Sequence, residues 1–160
     1  MKNNFTKAQV WLLVLLRIAI GWHMLYEGII KLMNSNWTSG PYLMDSKGLF
    51  AGIFHSMAEN PGLLKAVDFL NIWGLILAGA GLIAGLFTRA AIWGGIALLS
   101  MYFLSHPALI NASYAIPSEG SYLFVNKNLI ELIALAVVLV FPTWKEIGLD
   151  GIIFRKKNSH

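Results

Sequence analysis

One apolar stretch near the start of the chain, residues 12–32 (LLVLLRIAIGWHMLYEGIIKL), carries Arg17, His23, Glu27 and Lys31. The stretch is long enough to cross a bilayer, because a helix of about 20 apolar residues spans the hydrocarbon core. A charged side chain at the centre of such a helix costs roughly 3 kcal/mol on insertion scales, so it faces protein or water. The rest of the chain must therefore supply partners for these side chains.

On a helix with 100° per residue, the stretch presents one stripe of small and charged residues. The stripe holds Arg17, Gly21, Met24, Gly28 and Lys31, with Glu27 and then His23 along one flank. Glu27 and Lys31 stand at i, i+4 in the favourable order, which predicts an ion pair. Each of these residues alone is more often a structural contact between helices than part of a site. Four on one span favour a site.

The composition identifies an integral membrane protein, since 57% of the residues are hydrophobic, 12% are charged and the mean hydropathy is +0.64. The net charge of +4 comes from basic residues divided among termini and loops, without an interleaved aromatic stripe, so we expect no nucleic-acid partner. The absence of cysteine excludes disulfides, thiolate metal sites and iron–sulfur clusters. Any redox chemistry must therefore use a bound cofactor.

The apolar runs predict an all-α integral membrane protein, a four-helix transmembrane bundle that forms one domain over residues 1–160. The four spans are expected at about 8–33, 64–87, 90–105 and 128–141. Trp144 is expected at the membrane interface beyond the fourth span, followed by a surface segment that ends in a basic cluster.

Between the first two spans, the sequence predicts a short amphipathic helix on the membrane surface, in the first outer loop. Its apolar residues recur at helical spacing at Leu49, Ile53, Phe54 and Met57. His55 lies in the same segment and is interpreted as an exposed or interfacial residue.

We expect the protein in a bacterial inner membrane, and the positive charges predict that both of its termini lie on the cytoplasmic side. With four spans, the inner side receives Lys2, Lys7, Arg89, Lys145, Arg155, Lys156 and Lys157, and the outer side receives Lys31, Lys47, Lys65 and Lys127.

The antiparallel order of the spans places one end of each in the outer half of the bundle and predicts a polar cluster there. Its members are Glu27, Lys31, Asp68, Asn71, Tyr102, His106, Asn128 and Glu131. His23 and Arg17 lie deeper, by roughly 12 and 21 Å from Lys31 at 1.5 Å per residue. Glu131 is predicted to contact the polar stripe of the first span near Lys31 or Arg17, because an unpaired carboxylate there is costly.

The sequence resembles the DoxX/DoxD family of small four-span membrane proteins. The resemblance rests on LLRIAIGWHMLYEGIIKL in the first span, GLFAGIF in the surface helix, GLFTRAA after the second span and VNKNLIELIAL in the fourth. Arg17, Gly21, Gly28, Lys31 and Glu131 carry it. The DoxD member is known as the small subunit of thiosulfate:quinone oxidoreductase, so the resemblance implies a link to quinone or to a redox partner.

The first hypothesis for function is a quinone-binding subunit of a membrane oxidoreductase, with a soluble or membrane subunit as its partner. A quinone needs an apolar slot, donors for two carbonyl oxygens and a proton path. The candidate ligand-binding residues are Arg17, His23, Tyr26, Glu27, Lys31, Asn71, Tyr102, His106 and Glu131.

The alternative hypothesis is a non-catalytic assembly partner or small-solute carrier, in which the ion pairs serve contacts between helices. A homo-oligomer is compatible with either hypothesis. Haem, with His23 and His106 as axial ligands, ranks low because the two differ in depth, and no metal is expected.

Overall fold

The computed structural model describes residues 5–107, 114–115 and 123–154. This part of the chain is 77% helical and contains no strand. The helices are α1 (Lys7–Met33), α2 (Gly40–Met44), α3 (Ala51–Glu59), α4 (Pro61–Ala84), α5 (Thr88–Ser105), α6 (Lys127–Val140) and α7 (Leu149–Ile153), with a 3₁₀ turn at Thr143–Lys145.

Two helices, α1 with 27 residues and α4 with 24, are long and apolar enough to cross a membrane. The α1 helix begins with a capping box, in which Thr6 and Gln9 satisfy each other's backbone amides. The α4 helix begins three residues before the predicted span, because the Asn60 side chain accepts hydrogen bonds from the amides of Gly62 and Leu63. The helix ends at Ala84 and is followed by Gly85, which caps it with a positive φ of 65°, a conformation that glycine adopts readily.

The four long helices form a ring, in which α1 packs on α4, α4 on α5, α5 on α6 and α6 on α1. The α1 and α4 backbones approach closely at Gly79, where a Cβ would lie 2.5 Å from the Leu25 amide nitrogen and 2.6 Å from the Gly21 carbonyl oxygen. Apolar side chains fill the centre, among them Met24, Leu82, Ile92, Leu135 and Val138.

The bundle has two ends, which we name by the α1 residue near each. At the Lys31 end, α1 and α5 finish and α4 and α6 begin; at the Arg17 end, the directions are reversed. The predicted spans agree with these helices to within three residues.

The segment between α1 and α4 forms two short helices rather than the one predicted. In α3, only Phe54 of the four predicted apolar residues is buried, and Leu49 precedes the helix with 98% of its surface exposed. The unpredicted helix α2 carries Pro41 in its first turn, which fits the fixed φ of proline.

The segment after α6 does not follow the prediction of a surface segment that begins at an interfacial tryptophan. Trp144 is buried in the apolar core, with 3% of its surface exposed. The chain then folds back over the Arg17 end, where the Asp150 carboxylate accepts hydrogen bonds from the amides of Phe87 and Thr88 at 2.8 and 2.9 Å. Amides at the start of a helix have no hydrogen-bond partner within that helix, so the Asp150 carboxylate caps α5.

Candidate functional site

His23 and Glu131 form a hydrogen-bonded pair between α1 and α6. The Nδ1 atom of His23 lies 2.8 Å and 3.0 Å from the two carboxylate oxygens of Glu131. The prediction that Glu131 contacts the first span is therefore confirmed. Its partner is His23, however, and not Lys31 or Arg17.

The pair lies near the middle of α1 and is open on one side. The His23 side chain is 42% exposed, whereas that of Glu131 is 12% exposed. Among the described residues, the second ring nitrogen of His23, Nε2, has no hydrogen-bond partner. His23 can therefore hold Glu131 with one nitrogen and offer the other to a ligand.

Two exposed aromatic side chains lie on α1 close to His23 in the helix. Trp22 and Tyr26 stack on each other with ring centroids 6.4 Å apart, and both are more than half exposed. Tyr26 lies about 60° around the helix from His23 and one turn nearer the Lys31 end.

A second group joins α1, α4 and α5 nearer the Lys31 end. The Lys31 ammonium donates to Asn71 Oδ1 at 3.0 Å, and Asn71 Nδ2 donates to the Tyr102 hydroxyl at 2.7 Å. The ammonium also lies over the rings of Trp37 and Tyr102, at 5.2 and 5.4 Å from their centroids. Lys31, Asn71 and Tyr102 are thus brought together as predicted.

Glu27 lies between these two groups. The prediction of an ion pair between Glu27 and Lys31 is wrong, because the described structure holds no salt bridge between the two. The Lys31 ammonium donates to Asn71 instead. Glu27 nevertheless acts electrostatically on both His23 and Lys31. Its carboxylate therefore contributes negative charge to the site without a direct contact to either cation.

His106 belongs to a third group, formed where α5 meets the connecting segments. Its ring stacks on Tyr42 with centroids 3.9 Å apart, and its Nε2 lies 3.7 Å from a carboxylate oxygen of Asp45. Burial lowers the pKa of His106, and the Asp45 carboxylate opposes this. Burial raises the pKa of Tyr42, so its hydroxyl stays protonated and donates to the Tyr102 carbonyl at 3.4 Å.

Arg17 stands apart from the other candidates, at the opposite end of the bundle. Its side chain is only 2% exposed and donates through Nη2 to the Ile147 carbonyl at 2.9 Å. Within the part of the chain that the structure describes, its Nε and Nη1 atoms have no hydrogen-bond partner. Asp150 supplies the nearby negative charge. Arg17 thus contacts the folded-back segment that follows α6.

Sequence reasoning missed Trp37, Tyr42 and Asp45 as neighbours of the cluster. They lie in or beside the short helix α2, and Pro41 was the available signal that a helix begins there. Among the described residues, no group of three histidine or acidic side chains is placed to hold a metal ion.

A family model described as DoxX matches residues 12–107, which is more than half of the chain. The chain belongs to the DoxX family. The match includes the α1 stripe, Asn71 and Tyr102 of this DoxX protein but ends before Glu131, so the resemblance noted in the fourth span remains a prediction. Comparisons with curated proteins and with solved structures give no match. Family membership and the two long apolar helices indicate a membrane protein in contact with lipid.

Proposed function

We propose that this DoxX protein is a four-span protein of the bacterial inner membrane with both termini in the cytoplasm. The ring of four antiparallel helices supports this, because α5 and α6 lie in the same layer as the two long apolar helices. The basic residues at both termini give the Arg17 end its excess of positive charge, which favours the cytoplasmic side. Of these, Lys2 and the tail residues 155–157 lie outside the described residues.

Single cysteines test this topology, since the natural chain has none. Ser35→Cys, in the exposed turn after α1, should react with a membrane-impermeant thiol reagent in intact cells, whereas Glu146→Cys should not. Cysteines at Ser118 and Ser159, which lie outside the described residues, should behave as outer and inner positions respectively. Labelling of Ser35→Cys and Glu146→Cys alike from outside would contradict the topology.

We further propose that the protein binds a quinone at the His23–Glu131 pair, as the membrane subunit of a redox system. The observation that carries this proposal is a hydrogen-bonded pair of titratable side chains, His23 and Glu131, near the middle of an apolar helix, with the histidine open on one side. Ionisable residues at such depth mark proton or ligand sites. The contact of α1 with α6 is also the smallest of the four in the ring, which leaves the seam between them the easiest to enter.

In this site His23 is protonated, so that Nδ1 donates to the Glu131 carboxylate and Nε2 donates a hydrogen bond to one carbonyl oxygen of the quinone ring. Glu131 holds the other side of the imidazole and fixes its orientation, while Glu27 adds negative charge towards the Lys31 end. Trp22 and Tyr26 flank the entrance and provide apolar surface for the ring and tail. Electrons come from an oxidoreductase partner, and Arg17 serves the fold rather than the ligand.

The test is the thermal stability of the purified protein in detergent, with and without a menaquinone or ubiquinone analogue. A ligand at 100 times its Kd should stabilise the wild type by about 2.7 kcal/mol. His23→Gln should lose this shift. His55→Gln, which changes the half-buried histidine of α3, should keep it.

Two results would overturn the quinone site. The first is a wild type that no analogue shifts over a wide concentration range, which would leave the assembly partner or small-solute carrier as the better hypothesis. The second is an equal shift in wild type and His23→Gln, which would place the ligand elsewhere on the protein.

A further inference from the structure

Two cavities lie away from the His23–Glu131 pair and meet each other. One, of about 510 Å³, opens at the Arg17 end beside the folded-back segment. The other, of about 500 Å³, runs between α4 and α5. Phe87 and Ala90 line both cavities, so the two adjoin at these residues, and we call the pair of cavities the groove.

The end of this groove is basic. Arg89 and Lys145 line it, both are exposed, and neither side chain has a hydrogen bond or ion pair with any described residue. Asp150 also lines it, but its carboxylate oxygens already accept from the Phe87 and Thr88 amides. The same cavity therefore holds two cationic side chains and one carboxylate whose oxygens already accept hydrogen bonds. This arrangement suits a ligand with a negative group.

The side of the groove is apolar and shallow enough to hold a chain. Its walls are mainly small residues of α4 and α5, namely Gly74, Ala78, Ala80, Gly81, Ala84, Ala90, Ala91 and Gly94. The α4 part, from Gly74 to Ala84, is roughly 15 Å long at 1.5 Å per residue, which is about half the hydrocarbon thickness of a bilayer. A Cβ on Gly94 would meet nothing within 4 Å.

Phe87 stands where the basic and apolar parts of the groove join. It adopts a positive φ of 47°, which is unusual for a bulky residue, and Asp150 holds its amide in place. Its ring lies 5.9 Å from that of Phe154. The two rings form an aromatic border at the level where a lipid headgroup would meet its acyl chains.

We propose that this groove binds an anionic phospholipid, with the phosphate between Arg89 and Lys145 and one acyl chain along α4 and α5. Charge selects the headgroup, since basic pockets at the ends of membrane helices bind anionic lipids. The small residues accept the chain. The site uses other residues than the quinone pair, so either proposal can fail while the other stands.

The test titrates the purified protein in detergent with phosphatidylglycerol and with phosphatidylcholine of the same chain length, and counts bound lipid by native mass spectrometry. The wild type should bind phosphatidylglycerol at least about tenfold more tightly. The double variant Arg89→Gln/Lys145→Gln should lose about 25-fold in affinity, because each cation contributes roughly fivefold. The control Lys7→Gln/Lys65→Gln removes the same charge elsewhere and should keep the preference. Equal binding of the two lipids by wild type, or an unchanged preference in the double variant, would overturn the proposal.

A second variant tests the acyl chain and keeps both cations. Gly94→Leu places a larger side chain at a position where the added Cβ has open space, so it should occupy the groove and weaken binding of long-chain phosphatidylglycerol, whereas a short-chain form should bind as before. Gly52→Leu, in α3, is the matched control, because a Cβ at Gly52 likewise meets no described atom within 4 Å. If Gly94→Leu bound the long-chain lipid as tightly as the wild type does, the acyl chain would not lie in this groove. Displacement of the lipid by equimolar inorganic phosphate would show a free-anion site and would likewise overturn the lipid assignment.

Discussion

The Nδ1 atom of His23 lies 2.8 Å from a carboxylate oxygen of Glu131. The two residues are 108 positions apart in the chain, and their contact joins α1 to α6. It closes the ring of four helices on the side where they pack least. One member is largely covered and the other is open, so the contact can both hold the bundle and face a ligand.

The first prediction concerns the energy of this contact. His23→Gln and Glu131→Gln should each destabilise the protein, and the double variant should cost less than the sum, with a coupling of about 1–2 kcal/mol. The measurement is a double-mutant cycle on unfolding in detergent. Additive losses would mean that the two side chains contribute to stability independently.

The chain of hydrogen bonds from Lys31 through Asn71 to Tyr102 makes a separate prediction. Tyr102→Phe leaves the buried amide of Asn71 without its acceptor, which should cost about 1–3 kcal/mol of unfolding free energy. Tyr26→Phe, at an exposed tyrosine, should change stability by less than about 0.5 kcal/mol. Equal effects of the two variants would show that the Asn71 contact is not a stabilising one.

Arg17→Met should weaken attachment of the segment after α6, because it removes the hydrogen bond to the Ile147 carbonyl. A bond from a charged donor is worth about 1.5–3 kcal/mol. The Tm of Arg17→Met should be lower than that of the wild type, and trypsin should cut the variant at Lys145 faster. Lys65→Met, at an exposed lysine, is the control. If Arg17→Met instead abolished a quinone-dependent shift and left stability and proteolysis unchanged, Arg17 would be a ligand residue.

The pH dependence of stability should depend on His106. Because burial holds its pKa below the ordinary value of about 6.5, the folded protein takes up this proton less readily than the unfolded chain. The free energy of unfolding is therefore highest above the unfolded-state pKa of about 6.5. It decreases as the pH falls from there to the lower pKa of His106 in the folded protein. Asp45 opposes the shift and Lys47 adds to it, while Tyr42 and Tyr114 cover the ring.

The measurement for His106 is the Tm of wild type and His106→Gln between pH 8 and pH 5. The wild type should lose more of its Tm on acidification than His106→Gln, and His55→Gln should follow the wild type. Parallel curves for wild type and His106→Gln would contradict the role of His106.

The helices and the Lys31 group could be predicted because both depend on local pattern and chain order. Apolar periodicity defines each long helix to within three residues, and antiparallel order alone brings Lys31, Asn71 and Tyr102 to one end. The partner of Glu131 could not be predicted, because the choice between His23 and Lys31 depends on how α6 is rotated against α1. Hydrophobic spacing does not determine that rotation.

The sequence also did not predict that the segment after α6 folds back over the Arg17 end of the bundle. Its position depends on Asp150 capping a helix 62 residues earlier in the chain and on Arg17 bonding a carbonyl 130 residues later. No periodic signal links such residues. Trp144 was predicted at the interface because tryptophan is common there, but the turn at Thr143–Lys145 directs its side chain into the core.

Photoaffinity labelling with an azido-quinone tests the proposed function most directly. The reagent is added to membranes that contain the protein, and the labelled residues are located by mass spectrometry of its peptides. Labels should fall on α1 between Trp22 and Tyr26 and on α6 near Glu131, should be displaced by unlabelled quinone, and should disappear in His23→Gln. Labels on α4 and α5 along the groove at Gly94, or labels that unlabelled quinone does not displace, would contradict a quinone site at His23 and Glu131.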